Sequence, residues 1–256
     1  MNLPHTSAAA ARLDIAEATG STNADLLADA SDAAAFPHFS VRVTDDQRAG
    51  RGRLDREWTA PAGSAVAVSV LLRDLEIAPD QRGWIPLAAG AAMAEAVAAQ
   101  LPDARVGVKW PNDVLVDGQK ICGILAEAAG TGVIVIGAGV NTEMTAEQLP
   151  VPTATSFRLR GVTCDVDLLL AGYLARLDAH LTDLAEHGTA IASGLRRAVS
   201  ARCLTIGQPV TAHLPGGGEL RGEAVRLAAD GQLVLQTEDG EASVAAGDIV
   251  HLRPAS

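Results

Sequence analysis

The chain has 256 residues, 48% of them hydrophobic and only 3% aromatic. That allows one large domain, or one domain with a small companion, with a core filled by Ala, Val and Leu. The net charge of −11, from 20 Lys+Arg against 31 Asp+Glu, argues against a general nucleic-acid binder, whose footprint is a basic face. Cys122, Cys164 and Cys203 are odd in number, far apart and without a C-x-x-C. They indicate neither a disulfide framework nor a zinc site, and each is expected to be a small buried residue in a reducing compartment. The first twenty residues lack a basic segment followed by an apolar run, so no secretory signal is expected. The longest apolar run, 132–140, is about half of what a membrane helix needs. The expectation is a cytoplasmic protein with no membrane segment.

In chain order, Ser21 or Thr22 can cap a short helix over 23–27. Residues 38–44 alternate as a strand does. A Gly/Arg loop follows, and 64–73 read as a central strand. Residues 82–100 are Ala-rich and helical, with Pro86 near the first turn, where its missing N–H costs least. Residues 106–110 form a short strand stopped by Pro111. Residues 114–128 read as two strands around Asp117-Gly118, a hairpin signal. Residues 133–141 form a buried strand ending in Gly-x-Gly, and 165–200 read as two helices, the second over 191–199. From Thr205 the pattern changes to about five short alternating runs, expected to form a small β-barrel or sandwich. Hairpins and helices in irregular order favour α+β with a mixed sheet over a doubly wound fold. The expected division is 1–204 and 205–256.

The stretch TDDQRAGRGRLDREW, 44–58, places Arg48, Arg51 and Arg53 around Gly50 and Gly52. Three cations so close repel one another unless an anionic group sits between them. The glycines permit positive φ and close approach to a ligand. In an extended segment Arg51 and Arg53 share a side and can clamp a phosphate or carboxylate. The alternative is a solvated loop. In KWPNDVLVDGQKICGILAE, 109–127, Lys109 ends a strand before a rigid turn and is held where it can neutralise charge developing on a phosphate or acyl oxygen. Asn112 and Asp113 read as turn formers, and Lys120 as a solvated hairpin lysine. Gly123 weakens its strand unless a ligand or backbone approaches. In GAGVN, 137–141, Asn141 either caps a turn or reads an adenine edge. In GSTN, 20–23, the Ser-Thr pair either caps a helix or binds a polar head group. Trp58 and Trp84 are expected in core or lid packing. No paired histidine spacing, Ser-His-Asp set, dinucleotide fingerprint or P-loop is present.

Taken together, GSTN, DQRAGRGR, W-T-A-P-x-G at 58–63, KWPNDVLVDGQKICGILAE and GAGVN, in this order and spacing, resemble the biotin protein ligases. The match is good over about 15–142, and the remainder matches in layout only. The resemblance implies a class II synthetase-like mixed-sheet catalytic domain followed by a small SH3-like β-barrel. It implies condensation of biotin with MgATP to biotinyl-5′-AMP, then transfer of biotin to one lysine of the biotin carboxyl carrier domain of an acyl-CoA carboxylase. Ser21, Thr22 and Asn23 would meet the ureido head of biotin with Gln47 nearby. Gly50, Arg51, Gly52 and Arg53 would hold the carboxylate and the adenylate phosphates, on a loop that closes over ligand. Lys109, aided by Arg51, would be the main catalytic cation. Gly123 would let the ligand lie against the sheet, Trp58 would line the nucleotide pocket, and Asn141 would meet the adenine. Arg48 would be a spectator. Mg²⁺ would travel with ATP, with no metal site fixed by the protein alone.

Two departures from the family pattern stand out, Leu54-Asp55 after the Arg-Gly-Arg and Ala60 in place of a common Ser. Only about twenty residues precede GSTN, too few for a three-helix DNA module, so no DNA binding is expected. A monomer or weak homodimer is expected, because an unpaired edge strand is a template for pairing. The competing readings are a lipoate–protein ligase of the same superfamily and a non-catalytic biotin sensor. Gln47 and the polar GSTN favour a ureido ring over an apolar lipoyl chain.

Overall fold

Residues 65–73 form a strand buried along all but its last position, and the larger part of the molecule is built outward from it. The computed structural model describes residues 1–53, 56–130, 132–214 and 218–245, and the backbone alone of 248–251. Leu54-Asp55, flagged in the sequence, lie outside the described residues. The elements in order are α1 (Pro4–Ala9), β1 (Arg12–Ile15), α2 (Thr22–Asp29), β2 (Ser40–Thr44), β3 (Gly50–Arg51), β4 (Glu57–Trp58), β5 (Ala65–Arg73), α3 (Trp84–Gln100), β6 (Val106–Lys109), β7 (Asp113–Val116), β8 (Gln119–Ala129) and β9 (Val133–Asn141). They continue with α4 (Val166–His187), α5 (Leu195–Arg202), β10 (Pro209–His213), β11 (Glu219–Leu227), β12 (Leu233–Thr237), β13 (Gly240–Val244) and β14 (Asp248–His251).

The main sheet has seven strands in the order β1-β2-β5-β9-β8-β7-β6. Only β1 and β2 run parallel, so the sheet is mixed, as expected. Side chains of a strand alternate between faces. Val66, Val68, Val70 and Leu72 of β5 enter the large core with α3 and α4. Leu71 points the other way and packs with Leu26 of α2 and Val135 of β9. The same alternation puts Ala67 on that second face, where it lines a cavity. α3 is apolar almost all round and buries twelve of its residues, because the sheet, α4, α5 and the turn at 228–231 enclose it.

The last five strands form a second antiparallel sheet, β13-β12-β11-β10-β14, the small β domain expected from the alternating runs. Two tryptophans pin it to the first part. The Trp84 indole N–H donates to the Ala229 carbonyl at 2.8 Å, and that of Trp110 to the Gly231 carbonyl at 3.1 Å. Apolar residues of both sheets share one core cluster. Trp84 is therefore core, as expected.

Some local expectations shift. α1 and β1 carry too little apolar pattern to be read locally. Asp167 of α4 accepts from the backbone N–H groups of His5 and Thr6 at 3.0 and 2.8 Å, and β1 pairs with β2. The helix expected over 191–199 starts only at Leu195, after Gly194 at φ 80°, a left-handed residue that interrupts helical geometry. Gly50 and Gly52 do not adopt positive φ. What Gly50 provides is proximity, since a Cβ there would lie 2.5 Å from the Trp58 carbonyl oxygen. Cys122 and Cys203 are buried and Cys164 is partly so. Among the described residues no helix is long and apolar enough to cross a membrane.

Candidate active site

The face of the main sheet that α3 does not cover holds a cavity of about 620 Å³. Its floor is made where β8 and β9 pair Gly123 with Gly139, and Leu125 with Gly137. These glycines stand where side chains approach. A Cβ on Gly139 would come within 2.6 Å of the Trp58 ring, and one on Gly123 within 3.1 Å of the Lys120 ammonium. A Cβ on Gly137 would meet the Asn23 amide. Glycine in a strand weakens it unless something must come close, and here a ring, an ammonium and an amide all do.

One end of the cavity is polar. Ser21 Oγ accepts from the Ala24 N–H at 3.4 Å, capping α2, and Ser21 also lines the cavity. The capping role is thus filled, by a residue that also faces the cavity. The Thr22 N–H donates to Gln47 Oε1 at 2.8 Å. The Thr22 hydroxyl lies 2.7 Å from Ser69 Oγ, which lies 2.5 Å from Asn23 Oδ1. Asn23 Nδ2 donates to Glu127 at 2.8 Å. Thr22, Asn23 and Ser69 are all buried, and each finds partners there, as buried polar groups must.

The rest of the rim is cationic. Arg51, Arg53, Arg56, Lys109 and Lys120 line the cavity against two carboxylates, Glu57 and Asp113, in a protein of net charge −11. The clustered arginines are kept apart by partners within the chain. Arg51 Nη2 meets Glu127 at 3.0 Å, and Arg53 Nη1 donates to Asn112 Oδ1 at 3.0 Å. Lys120 Nζ meets Asp113 at 2.6 Å. Arg48 pairs with Asp46 at the surface, away from the lining, as expected of a spectator.

Of the residues expected in the site, Ser21, Thr22, Asn23, Gln47, Arg51, Gly52, Arg53, Trp58, Lys109, Gly123 and Asn141 all line this one cavity. Gly50 does not. It lies beneath Trp58 and Gln47 and lets the loop pass close to both. Asn141 is buried with its Nδ2 donating to the Thr155 carbonyl at 2.9 Å, so it ties down the following loop while facing the cavity. Three residues read as ordinary turn or hairpin residues belong to the site. Asn112 braces Arg53 and donates to the Ile124 carbonyl at 2.9 Å. Asp113 and Lys120 pair with each other at the floor, the Lys120 side chain still 40% exposed to solvent. The available signal was period two, because Gly137, Gly139 and Asn141 fall on one face of β9, and Ile121, Gly123 and Leu125 are spaced alike along β8.

The cavity also takes His213 from β10 of the small sheet, beside Pro150, Val151 and Ala154. Cys122 borders it too, but burial pushes its thiol up to about 12. It stays protonated at neutral pH and is no nucleophile. The group Asp183, Glu186 and His187 is exposed on α4, outside the cavity lining.

Residues 16–141 match the Biotin/lipoate A/B protein ligase family and residues 205–252 match the Biotin protein ligase C terminal domain. The chain is 39% identical to the biotin–[acetyl-CoA-carboxylase] ligase of Mycobacterium tuberculosis, over 94% of this chain and 90% of that one. It is 33% identical to the enzyme of the same name from Paracoccus denitrificans, over 90% and 97%. The structure resembles the Aquifex aeolicus biotin protein ligase in complex with biotin and ATP, with a TM-score of 0.79 at 24% identity, covering 94% of this chain and 100% of that one. Most of the cavity lining falls in the first of these two matched stretches, His213 falls in the second, and the chain belongs to the biotin protein ligase family.

Proposed function

We propose that this protein is an ATP-dependent ligase that attaches biotin to a lysine of a biotin carboxyl carrier domain, that of acetyl-CoA carboxylase in particular. The observation that carries the reading is a single cavity with a polar end, a glycine floor and a cationic rim. Biotin has a neutral ureido ring at one end and a carboxylate at the other. Ser21, Thr22, Asn23 and Gln47 offer donors and acceptors suited to the ring. Arg51, Gly52 and Arg53 lie beyond them, where the carboxylate and the phosphates of ATP would meet.

The carboxylate oxygen attacks the α-phosphorus of MgATP, a P–O bond forms, and pyrophosphate leaves. The carrier amine then attacks the acyl carbon, forming an amide and releasing AMP. Negative charge builds near the phosphate in the first step and on the acyl oxygen in the second. Fixed cations aimed at that charge supply the catalysis, and no covalent nucleophile is required. We assign the main role to Lys120 with Lys109 in support, rather than to Lys109 alone, because the Lys120 ammonium lies over Gly123 on the floor while Lys109 lines the same cavity. The neutral, polar end supports biotin over a lipoyl chain. Asn141 and Trp58 are assigned to the adenine and its pocket. Mg²⁺ enters with the phosphates of ATP. The acidic balance of the chain supports a reading without a DNA target. The reading includes a cytoplasmic location and a monomer or weak homodimer.

The test is ATP–pyrophosphate exchange. Exchange that requires biotin and is not supported by lipoate is the expected result. Exchange with lipoate alone would transfer the reading to a lipoyl substrate, and exchange with neither would refute adenylation.

A further inference from the structure

Glu127 lies outside the cavity lining, yet it touches two residues that form it. Its carboxylate accepts from Asn23 Nδ2 at 2.8 Å and meets Arg51 Nη2 at 3.0 Å. Asn23 belongs to the polar end and Arg51 to the cationic rim. Behind Asn23 the contacts continue through Ser69 to Thr22, and from Thr22 to Gln47.

The proton directions along this chain follow from the chemistry of the groups. A carboxylate only accepts, so Asn23 must present its NH₂ to Glu127 and its Oδ1 to Ser69. Ser69 has one proton, and Asn23 Oδ1 claims it. Ser69 Oγ therefore accepts from the Thr22 hydroxyl, which lies 2.7 Å from it against 3.1 Å from Gln47 Oε1. Every donor points the same way, from Thr22 through Ser69 and Asn23 to Glu127, and Arg51 donates into the same carboxylate. Such chains polarise one another, and a change at one end alters the acceptor strength felt at the other. Ser69 is fully buried at the centre of β5 and Asn23 is nearly so, which limits competition from water.

We propose that Glu127 is a positioning residue that sets Arg51 at the cavity and, through Asn23 and Ser69, makes the placement of Arg51 depend on what occupies the polar end around Thr22. The inference rests on the reading of this cavity as the site for biotin and ATP. Only one guanidinium nitrogen, Nη2, meets Glu127. A guanidinium carries five donors, so Arg51 can hold Glu127 and an anionic ligand together. A ligand that draws on the Thr22 hydroxyl or the Asn23 amide resets the Glu127 end of the chain, and with it the angle at which Arg51 meets the second ligand. Such a link is a coupling free energy and acts equally in both directions.

The experiment measures binding of a non-hydrolysable ATP analogue by calorimetry, with and without saturating biotin. It uses the wild-type protein, Glu127→Gln and Ser69→Ala. Glutamine keeps the shape of Glu127 but has one acceptor oxygen for two donors, and Ser69→Ala breaks the chain at a residue outside the cavity lining. The expected result is that biotin tightens analogue binding at least tenfold in the wild type and less than twofold in both variants, while each variant still binds biotin. A purely structural Glu127 would lower the melting temperature and leave the ratio intact, and that result would overturn the inference. Wild-type binding of both ligands with no mutual effect would overturn the inference and spare the function. Absence of any biotin binding by the wild type would overturn both.

Discussion

The floor and the rim of the cavity use opposite means. The floor is backbone, with Gly123, Gly137 and Gly139 on two central strands whose register fixes them. It has no rotamers to reorganise. The rim is made of long charged side chains, Arg51, Arg53 and Lys120, each held by a partner from another segment. The floor sets shape, and the rim sets where charge is welcome. An interaction stronger in the transition state than in the ground state raises kcat, whereas uniform binding affects only KM. The rim lysines and the floor glycines should therefore separate along that line, with Arg51 acting through binding.

The largest expected effect is at the rim. Lys120→Ala removes one preorganised cation and should lower kcat for adenylation roughly 10²–10³-fold, read by biotin-dependent pyrophosphate release. Lys109→Ala, at a second lysine lining the same cavity, should cost about tenfold, or about 1.4 kcal/mol of transition-state stabilisation. The reverse order would return the main role to Lys109. Next is the floor. Gly139→Ala places a methyl into the Trp58 ring, an overpacking that costs roughly 1–3 kcal/mol. It should raise KM for ATP by about 10- to 100-fold with kcat little changed, and a pure kcat defect would break the division between floor and rim. Arg51→Ala should weaken ATP binding about tenfold, the size of a charge-assisted contact. It should also abolish protection of the loop from protease by biotin and ATP. Survival of that protection would remove Arg51 from the anion clamp.

The smallest effect lies outside the cavity. Burial lowers the pKa of His38 and His180 from 6.5. His38 Nδ1 accepts from the Arg73 N–H at 3.1 Å, a contact that requires the neutral ring. Both histidines favour the folded state in their neutral form. Their contribution is present above pH 6.5 and is lost as pH falls through their lower folded values. Melting temperature should therefore fall as pH drops below about 6.5, and His38→Gln should flatten part of that fall. A melting curve unchanged between pH 7 and 5 would contradict it.

Much of this was legible in the sequence because it rests on local pattern. The alternation of 64–73, the Asp117-Gly118 hairpin and the change of rhythm near Thr205 each report their own element. The cavity residues were found because their motifs are compact and their order along the chain is distinctive. What escaped depends on distant partners. β1 is a strand because β2 lies beside it, and α1 is held by an aspartate far along the chain. Lys120 looked solvated because Asp117-Gly118 places it near a hairpin tip. The register of β7 against β8 turns it toward Asp113 and the floor. Asn112 does sit in the turn before β7, and what escaped was its contact with Arg53 and with β8. Gly50 was credited with a backbone freedom it does not use, since its lack of a side chain serves Trp58 instead.

The most direct test of the central claim is to incubate the purified protein with MgATP, biotin and a biotin carboxyl carrier domain, and to weigh the carrier by intact mass spectrometry. A parallel reaction holds lipoate in place of biotin. The expected result is a gain of one biotinyl group that requires ATP, with no gain from lipoate. No gain with either acid would contradict the ligase reading, leaving the family fold with a sensing role.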